Sequence, residues 1–217
     1  MSFLAFVFPG QGSQSVGMLT SLNSEYTVVR ETFDEASSVL NYDLWGLVAN
    51  GPDETLRLTE YTQPAILAAS VAIYRCWMSE GGQIPAFVAG HSLGEYSALV
   101  AAKSLSLRDA TVLVQTRGRA MQTAVPSGHG FMSAVIGLDD ATIVEVCRSL
   151  NTDKAFVGVV NYNSPGQAVI AGNSSVAEQA TLGLKKAGKI TDHDVVVSNE
   201  LANVVSGGNT DILEPIN

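Results

Sequence analysis

Pro85-Ala-Phe-Val-Ala-Gly-His-Ser-Leu-Gly-Glu-Tyr-Ser-Ala-Leu99 holds a short apolar run, the pentad Gly90-His91-Ser92-Leu93-Gly94, and an amphipathic segment of good helix formers. That order predicts a buried strand, a tight turn and a helix. Ser92 falls at the bend, with glycines on both sides where a Cβ would collide with neighbouring backbone. A serine held there is a candidate nucleophile. The N–H of Leu93 opens the helix toward the position where an oxyanion would form, and the helix dipole adds to the effect. A second reading stands beside this one, because Ser92-Leu93-Gly94-Glu95 also fits the S-x-x-E capping box, in which Ser92 only bonds backbone at the helix start. Gly90 and Gly94 together favour the exposed elbow, since a cap requires neither.

Before the elbow, Phe3 to Phe8 is an apolar run stopped by Pro9-Gly10-Gln11-Gly12-Ser13-Gln14, which predicts a buried parallel strand leading into a glycine-rich loop. A nucleotide-binding reading fails on spacing: Ser15 stands where G-x-G-x-x-G needs its third glycine, and no Gly-Lys-Ser/Thr follows. Gln11 and Gln14 can instead present an amide to a ligand, or simply belong to a solvated loop. Ser24 to Leu40 carries a helix pattern, followed by a polar connector through Asp53. A second helix starts at Thr62-Gln63-Pro64-Ala65, with Thr62 as cap and Pro64 in the first turn, and runs to Gly81-Gly82.

After the elbow, Leu107 to Ala124 is strongly helical. At 3.6 residues per turn one face holds Ala110, Leu113, Val114, Arg117, Ala120, Met121 and Ala124. A guanidinium on that apolar face cannot shed its charge. It requires an internal Asp or Glu, a wet cavity, or a substrate carboxylate that it clamps in bidentate fashion. From residue 126 the pattern becomes strand (Met132 to Leu138), helix (Asp139 to Leu150), strand (Ala155 to Tyr162), turn, strand (Gln167 to Ala171) and helix (Ser174 to Gly188). This β-α-β-β-α order predicts a ferredoxin-like domain whose fourth strand is supplied by Asp194 to Ser198.

The 217 residues, 46% hydrophobic and 15% charged, can bury a substantial core. No apolar run reaches membrane-spanning length and the N-terminus lacks a basic flank, so the expected compartment is the cytoplasm. Cys76 and Cys147 lie inside apolar helical patterns and are expected as core thiols, with no Cys/His cluster at metal-ligand spacing. A formal net charge of −9 argues against nucleic acid and anionic membrane surfaces as partners.

Five motifs, Phe8-Pro9-Gly10-Gln11-Gly12-Ser13-Gln14, Thr62-Gln63-Pro64-Ala65, Gly90-His91-Ser92-Leu93-Gly94-Glu95-Tyr96, Arg117-Gly118-Arg119-Ala120-Met121 and Asn161 to Gly172, together resemble the malonyl-CoA:acyl carrier protein transacylases of bacterial fatty acid synthesis. The resemblance covers residues 3 to about 188. It implies an α/β fold: an α/β-hydrolase-like large subdomain with a parallel sheet (1–125 and 199–217) and a ferredoxin-like small subdomain (126–198). It also implies ping-pong acyl transfer, in which Ser92 attacks the malonyl thioester of CoA and the malonyl-serine passes to the phosphopantetheine thiol of acyl carrier protein. Gln11 and the Leu93 N–H would form the oxyanion hole, and Arg117 would pair with the malonyl carboxylate. His91 would support rather than act as base, and neither cofactor nor metal is implied.

In the family the fourth small-domain strand leads into a segment ending in the histidine base. Matching Val195-Val196-Val197-Ser198 to that strand leaves no histidine in Asn199 to Asn203, so the expectation is a transacylase whose C-terminal part is missing or replaced. His193 has the right order after Ser92 but precedes the strand, about five residues or ~16 Å from where the base belongs. Two other functions share part of this pattern. A serine esterase has the elbow but gives no role to the Phe8 to Gln14 loop or to Arg117, and a non-catalytic fragment would bind CoA or carrier protein without turnover.

Overall fold

The computed structural model describes residues 3–126 and 128–188. The chain divides after Thr123 into two compact units, 1–123 and 124–217. The first unit runs β1 (Ala5–Phe8), α1 (Thr20–Glu25), α2 (Thr27–Ser37), α3 (Leu44–Asn50), α4 (Asp53–Leu56), α5 (Thr59–Ser79), β2 (Phe87–Gly90), α6 (Gly94–Ala101) and α7 (Leu107–Ala124). Helix α5 is its axis. From Thr62 to Ala72 every residue is buried, as expected of a helix that is apolar all round and enclosed by neighbours. Its small residues, among them Ala65, Ala68 and Ala72, let α2 and α3 close on it around Phe33 and Trp45, whose rings meet edge-on at 5.1 Å. Leu67 and Val71 pack with Leu93, Leu107 and Val114, and complete burial of each such side chain contributes about 1.5–3 kcal/mol.

β1 and β2 pair in parallel, Phe8 opposite Gly90. The sequence predicted strands buried on both faces, and the described residues show burial on one. Phe6 and Phe8 pack on Tyr74 of α5, whereas Val7 and Phe87 on the other face are 76% and 64% exposed. Helix boundaries differ too. The segment predicted as one helix from Ser24 breaks at Tyr26, whose backbone is extended. The polar connector contains α3, because Asp43 caps it by accepting from the Gly46 N–H at 3.0 Å. Helix α5 begins at Thr59, so Pro64 sits inside it, and the Thr62 hydroxyl donates to the Leu56 carbonyl instead of capping.

The second unit runs β3 (Gly130–Ile136), α8 (Asp140–Leu150), β4 (Val157–Ser164), β5 (Gln167–Asn173) and α9 (Ala177–Ala187), in the predicted β-α-β-β-α order. β5 lies between β3 and β4 and is antiparallel to both. Alternate residues of β3, Phe131, Ser133 and Val135, point inward, where Phe131 and Val135 join Ile143 and Cys147 of α8 and Ala180 and Leu184 of α9 in one core. Cys76 and Cys147 are both buried free thiols, and burial pushes both pKa values up. The predicted fourth strand, Asp194 to Ser198, and residues 199–217 lie outside the described residues.

Asp139 caps α8, accepting from the Thr142 hydroxyl at 2.6 Å and the Thr142 N–H at 2.9 Å. These bonds hold its carboxyl below the ordinary carboxylate range. Such a group contributes stability that is fully present above the unfolded pKa of about 3.9 and is lost as pH falls through the lower folded value. Thermal melts from about pH 6 to about pH 3 are therefore expected to show an acid-induced loss that shrinks in Asp139→Asn, whose amide oxygen keeps the cap but does not titrate. Identical pH profiles for the two proteins would contradict this role.

Candidate active site

Ser92 occupies the turn between β2 and α6 with φ +54°, a left-handed conformation rare for any residue but glycine, costing about 1–3 kcal/mol that the surroundings must supply. Two contacts supply it. A Cβ on Gly90 would fall onto the Gly94 carbonyl, and one on Gly94 would fall onto the Phe8 carbonyl, so bare backbone is required where the strand, the turn and the end of β1 meet. Leu93, fully buried against α5 and α7, pins the turn from within. Ser92 and His91 are left exposed.

The capping-box reading is not what forms. Ser92 Oγ accepts a hydrogen bond from Arg117 Nη2 at 2.9 Å, while the Glu95 N–H donates to the Ser92 carbonyl. Among the described residues the Leu93 N–H has no acceptor, so a donor stands beside the nucleophile candidate at the start of α6. His91 makes no hydrogen bond to Ser92; its carbonyl accepts from the Gly94 N–H.

Arg117 reaches Ser92 from α7. A Cβ on Gly118 would lie 2.6 Å from the Thr59 carbonyl oxygen, so glycine there lets α7 lie directly on the first turn of α5. The buried face of α7 is Leu107, Ala110, Thr111, Val114 and Gly118. The predicted face was therefore rotated, since Leu113, Ala120, Met121 and Ala124 are exposed among the described residues. Periodicity assigns a face by apolar side chains, and Gly118, which packs against the Thr59 carbonyl, has none. Arg117 borders the true face and is half-buried. Its Nη1 donates to Gln63 Oε1 at 2.8 Å, so both its partners are neutral. The neighbouring carboxylate, Glu60, is held by Arg119 at 2.9 Å. Of the alternatives the sequence left open for Arg117, an internal ion pair is not found among the described residues.

Gln11 is half-buried in the loop after β1, its amide donating to Thr59 Oγ1 at a long 3.3 Å. Gln14 is used within the loop, accepting from the Gly12 N–H at 2.9 Å. The structure thus brings Ser92, Leu93 and Arg117 together and places Gln11 on Thr59 of the same α5 turn that Gly118 touches. His193 lies outside the described residues. In the sequence Gln63 fits a helix start, yet a glutamine preceding the apolar run Ala65-Ile66-Leu67 is itself a signal of a polar partner. No group of His, Cys, Asp and Glu among the described residues could hold a metal ion, and no described helix is long and apolar enough to cross a membrane.

A profile described as the acyl transferase domain matches residues 5–206. The chain is 55% identical over 188 residues to the malonyl CoA-acyl carrier protein transacylase of Salmonella typhimurium, covering 87% of this chain and 60% of that protein. The crystal structure of an acyl carrier protein S-malonyltransferase from Vibrio cholerae superposes with a TM-score of 0.83 at 52% identity, over 91% of this chain and 63% of that one. A type II PKS acyl-carrier protein in complex with its malonyl-transacylase gives a TM-score of 0.82 at 50% identity, over 91% and 62%. The chain spans about 60% of the length of these curated relatives.

The backbone contact at the elbow is directly testable. Gly94→Ala is expected to destabilise the protein by about 1–3 kcal/mol or more in urea denaturation, because the Phe8 carbonyl cannot retreat without breaking the β1–β2 pairing. An unchanged midpoint would show that the strand and helix have room to separate.

Proposed function

The chain belongs to the acyl transferase domain family, and we propose that it moves a malonyl group from CoA to the phosphopantetheine thiol of acyl carrier protein through a malonyl-serine on Ser92. The observation that carries this reading is the Arg117 guanidinium one hydrogen bond from Ser92, held by neutral partners. A cation in that position selects an acyl group ending in a free carboxylate, and the names of the 55%-identical relatives supply the donor and acceptor. A hydrolase for neutral esters leaves that cation without a role.

On binding, the substrate carboxylate is a stronger acceptor than the Ser92 hydroxyl, so Arg117 turns to it and Ser92 is released for attack. Oγ bonds to the thioester carbonyl carbon as its proton passes to a base. The oxyanion is met by the Leu93 N–H and by the Gln11 amide, whose long bond to Thr59 is readily exchanged. Collapse breaks the carbon–sulfur bond, and CoA leaves as its thiol, taking the proton first removed from Oγ. The carrier-protein thiol then attacks the ester, and Oγ departs with a proton.

The same proposal extends to the fold and the cell. The described residues up to 125 belong to an α/β-hydrolase-like subdomain, and those from 126 to 188 to a ferredoxin-like one. The second reading is supported by the strand order β3-β5-β4, in which the outer edge of β3 has no partner strand among the described residues and can take a fourth. The chemistry needs no cofactor beyond the CoA thioester, uses no nucleic acid or membrane, and belongs in the cytoplasm.

Intact-mass spectrometry after mixing with malonyl-CoA is expected to show a malonyl adduct that is absent from Ser92→Ala; an adduct on the Ala variant overturns the assignment. Arg117→Ala is expected to slow malonyl addition more than acetyl addition, by about 2 kcal/mol of discrimination for a charge-assisted pair. Equal losses for the two thioesters would show Arg117 to be structural.

A further inference from the structure

Gln63 is completely buried, yet both ends of its amide are engaged: Nε2 donates to Met121 Sδ at 3.3 Å, and Oε1 accepts from Arg117 Nη1 at 2.8 Å. Only one orientation of the amide satisfies both neighbours. A thioether has no hydrogen to donate and a guanidinium has no lone pair to accept with, so turning the amide over would set donor against donor at Arg117. Gln63 is thus an acceptor toward Arg117, locked as such by a sulfur.

The same pair of helices offers a contrast. Arg119 on α7 is met from the first turn of α5 by Glu60, a carboxylate, and that pair is satisfied internally. Arg117, two residues earlier, is met from α5 by an amide. An amide aims the guanidinium without neutralising it, whereas a carboxylate at 63 would complete an ion pair and leave little charge for a ligand. An aliphatic residue would leave the charge but remove the acceptor that fixes its direction. We propose that Gln63 is a positioning residue that keeps Arg117 free of an internal counter-ion, aimed and available, and so sets the preference for carboxylated over plain acyl groups. This rests on the malonyl-transfer reading above.

The test is carried out in a Ser92→Ala background, where no ester forms, by calorimetric titration with malonyl-CoA and with acetyl-CoA. The parent is expected to bind malonyl-CoA more tightly. Adding Gln63→Glu, nearly the same in shape, should reduce that preference by about tenfold or more, and Gln63→Leu by about threefold, with acetyl-CoA affinity held within about twofold in each. The order matters, because a packing role would make the isosteric Glu the milder change or weaken both thioesters alike. Met121→Leu conserves volume at an exposed position and removes only the sulfur that locks the amide. It is expected to reduce the preference about threefold, and it decides the matter if Gln63→Glu loses its folded near-ultraviolet spectrum. A parent with a clear preference that Gln63→Glu, or Met121→Leu in its place, leaves intact overturns this inference alone. A parent with no preference overturns the malonyl-transfer reading and this inference with it.

Discussion

The contact between the backbone of Gly94 and the carbonyl of Phe8 is the constraint on which the first unit's site depends. It lets α6 begin against the end of β1, and that closeness forces the chain between Gly90 and Gly94 to reverse so sharply that Ser92 takes a left-handed conformation. The strain is offset by Leu93, whose side chain is drawn into the core formed with α5 and α7. A single turn therefore has its two successive side chains sorted by opposite demands, Leu93 inward for burial and Ser92 outward by default. A second bare-backbone contact, Gly118 on Thr59, does for α7 what Gly94 does for α6. The two together bring a hydroxyl from one helix start and a guanidinium from the middle of another helix within 2.9 Å.

Much of this was legible in the sequence because glycine is conspicuous. Gly90 and Gly94 around Ser92 announced the elbow, and the alternation and turn residues after 126 announced the β-α-β-β-α order of the second unit. What escaped was decided by partners distant in sequence. The larger apolar residues of α7 predict one packed side, but the side that packs is the one with Gly118, and hydrophobicity assigns a glycine no side. Pro64 is favoured in a first turn and so predicts a start at Thr62, yet the Thr62 hydroxyl finds the Leu56 carbonyl and the helix begins upstream. Helix α3 is short, carries Gly46 in its middle and lies between the polar stretches 41–43 and 50–53, so it resembles part of a connector, though Asp43 caps it.

Gln63 shows the limit most directly. Nothing within reach along the chain requires an amide there; its partners are Arg117 and Met121, more than fifty residues away. Sequence patterning reads one element at a time, and a buried polar network is a property of two. Arg117 is legible for a different reason. A permanent cation at the border of an apolar face is costly wherever the helix turns out to point, so the need for a partner did not depend on the face being placed correctly.

The electrostatics of the whole chain bear on how such a partner arrives. The formal net charge of −9 is unfavourable to an approaching anion, but a Debye length of about 8 Å at physiological salt confines that repulsion, and any attraction, to short range. Selection for a carboxylate must then be made at contact. This favours arginine, whose planar fork forms two directed bonds, over lysine, whose ammonium acts as a point charge. It also explains why neutral neighbours suit Arg117. Gln63 and Ser92 satisfy two of its N–H donors without cancelling its charge, so an arriving carboxylate replaces a hydroxyl instead of competing with another carboxylate. The desolvation cost of the half-buried cation is met partly by these neutral bonds, and the remainder is recovered when the proposed substrate binds. Under the proposed function, a site arranged in this way gains its discrimination in the step that frees the Ser92 hydroxyl from Arg117, which couples recognition of the acyl group to the availability of Ser92.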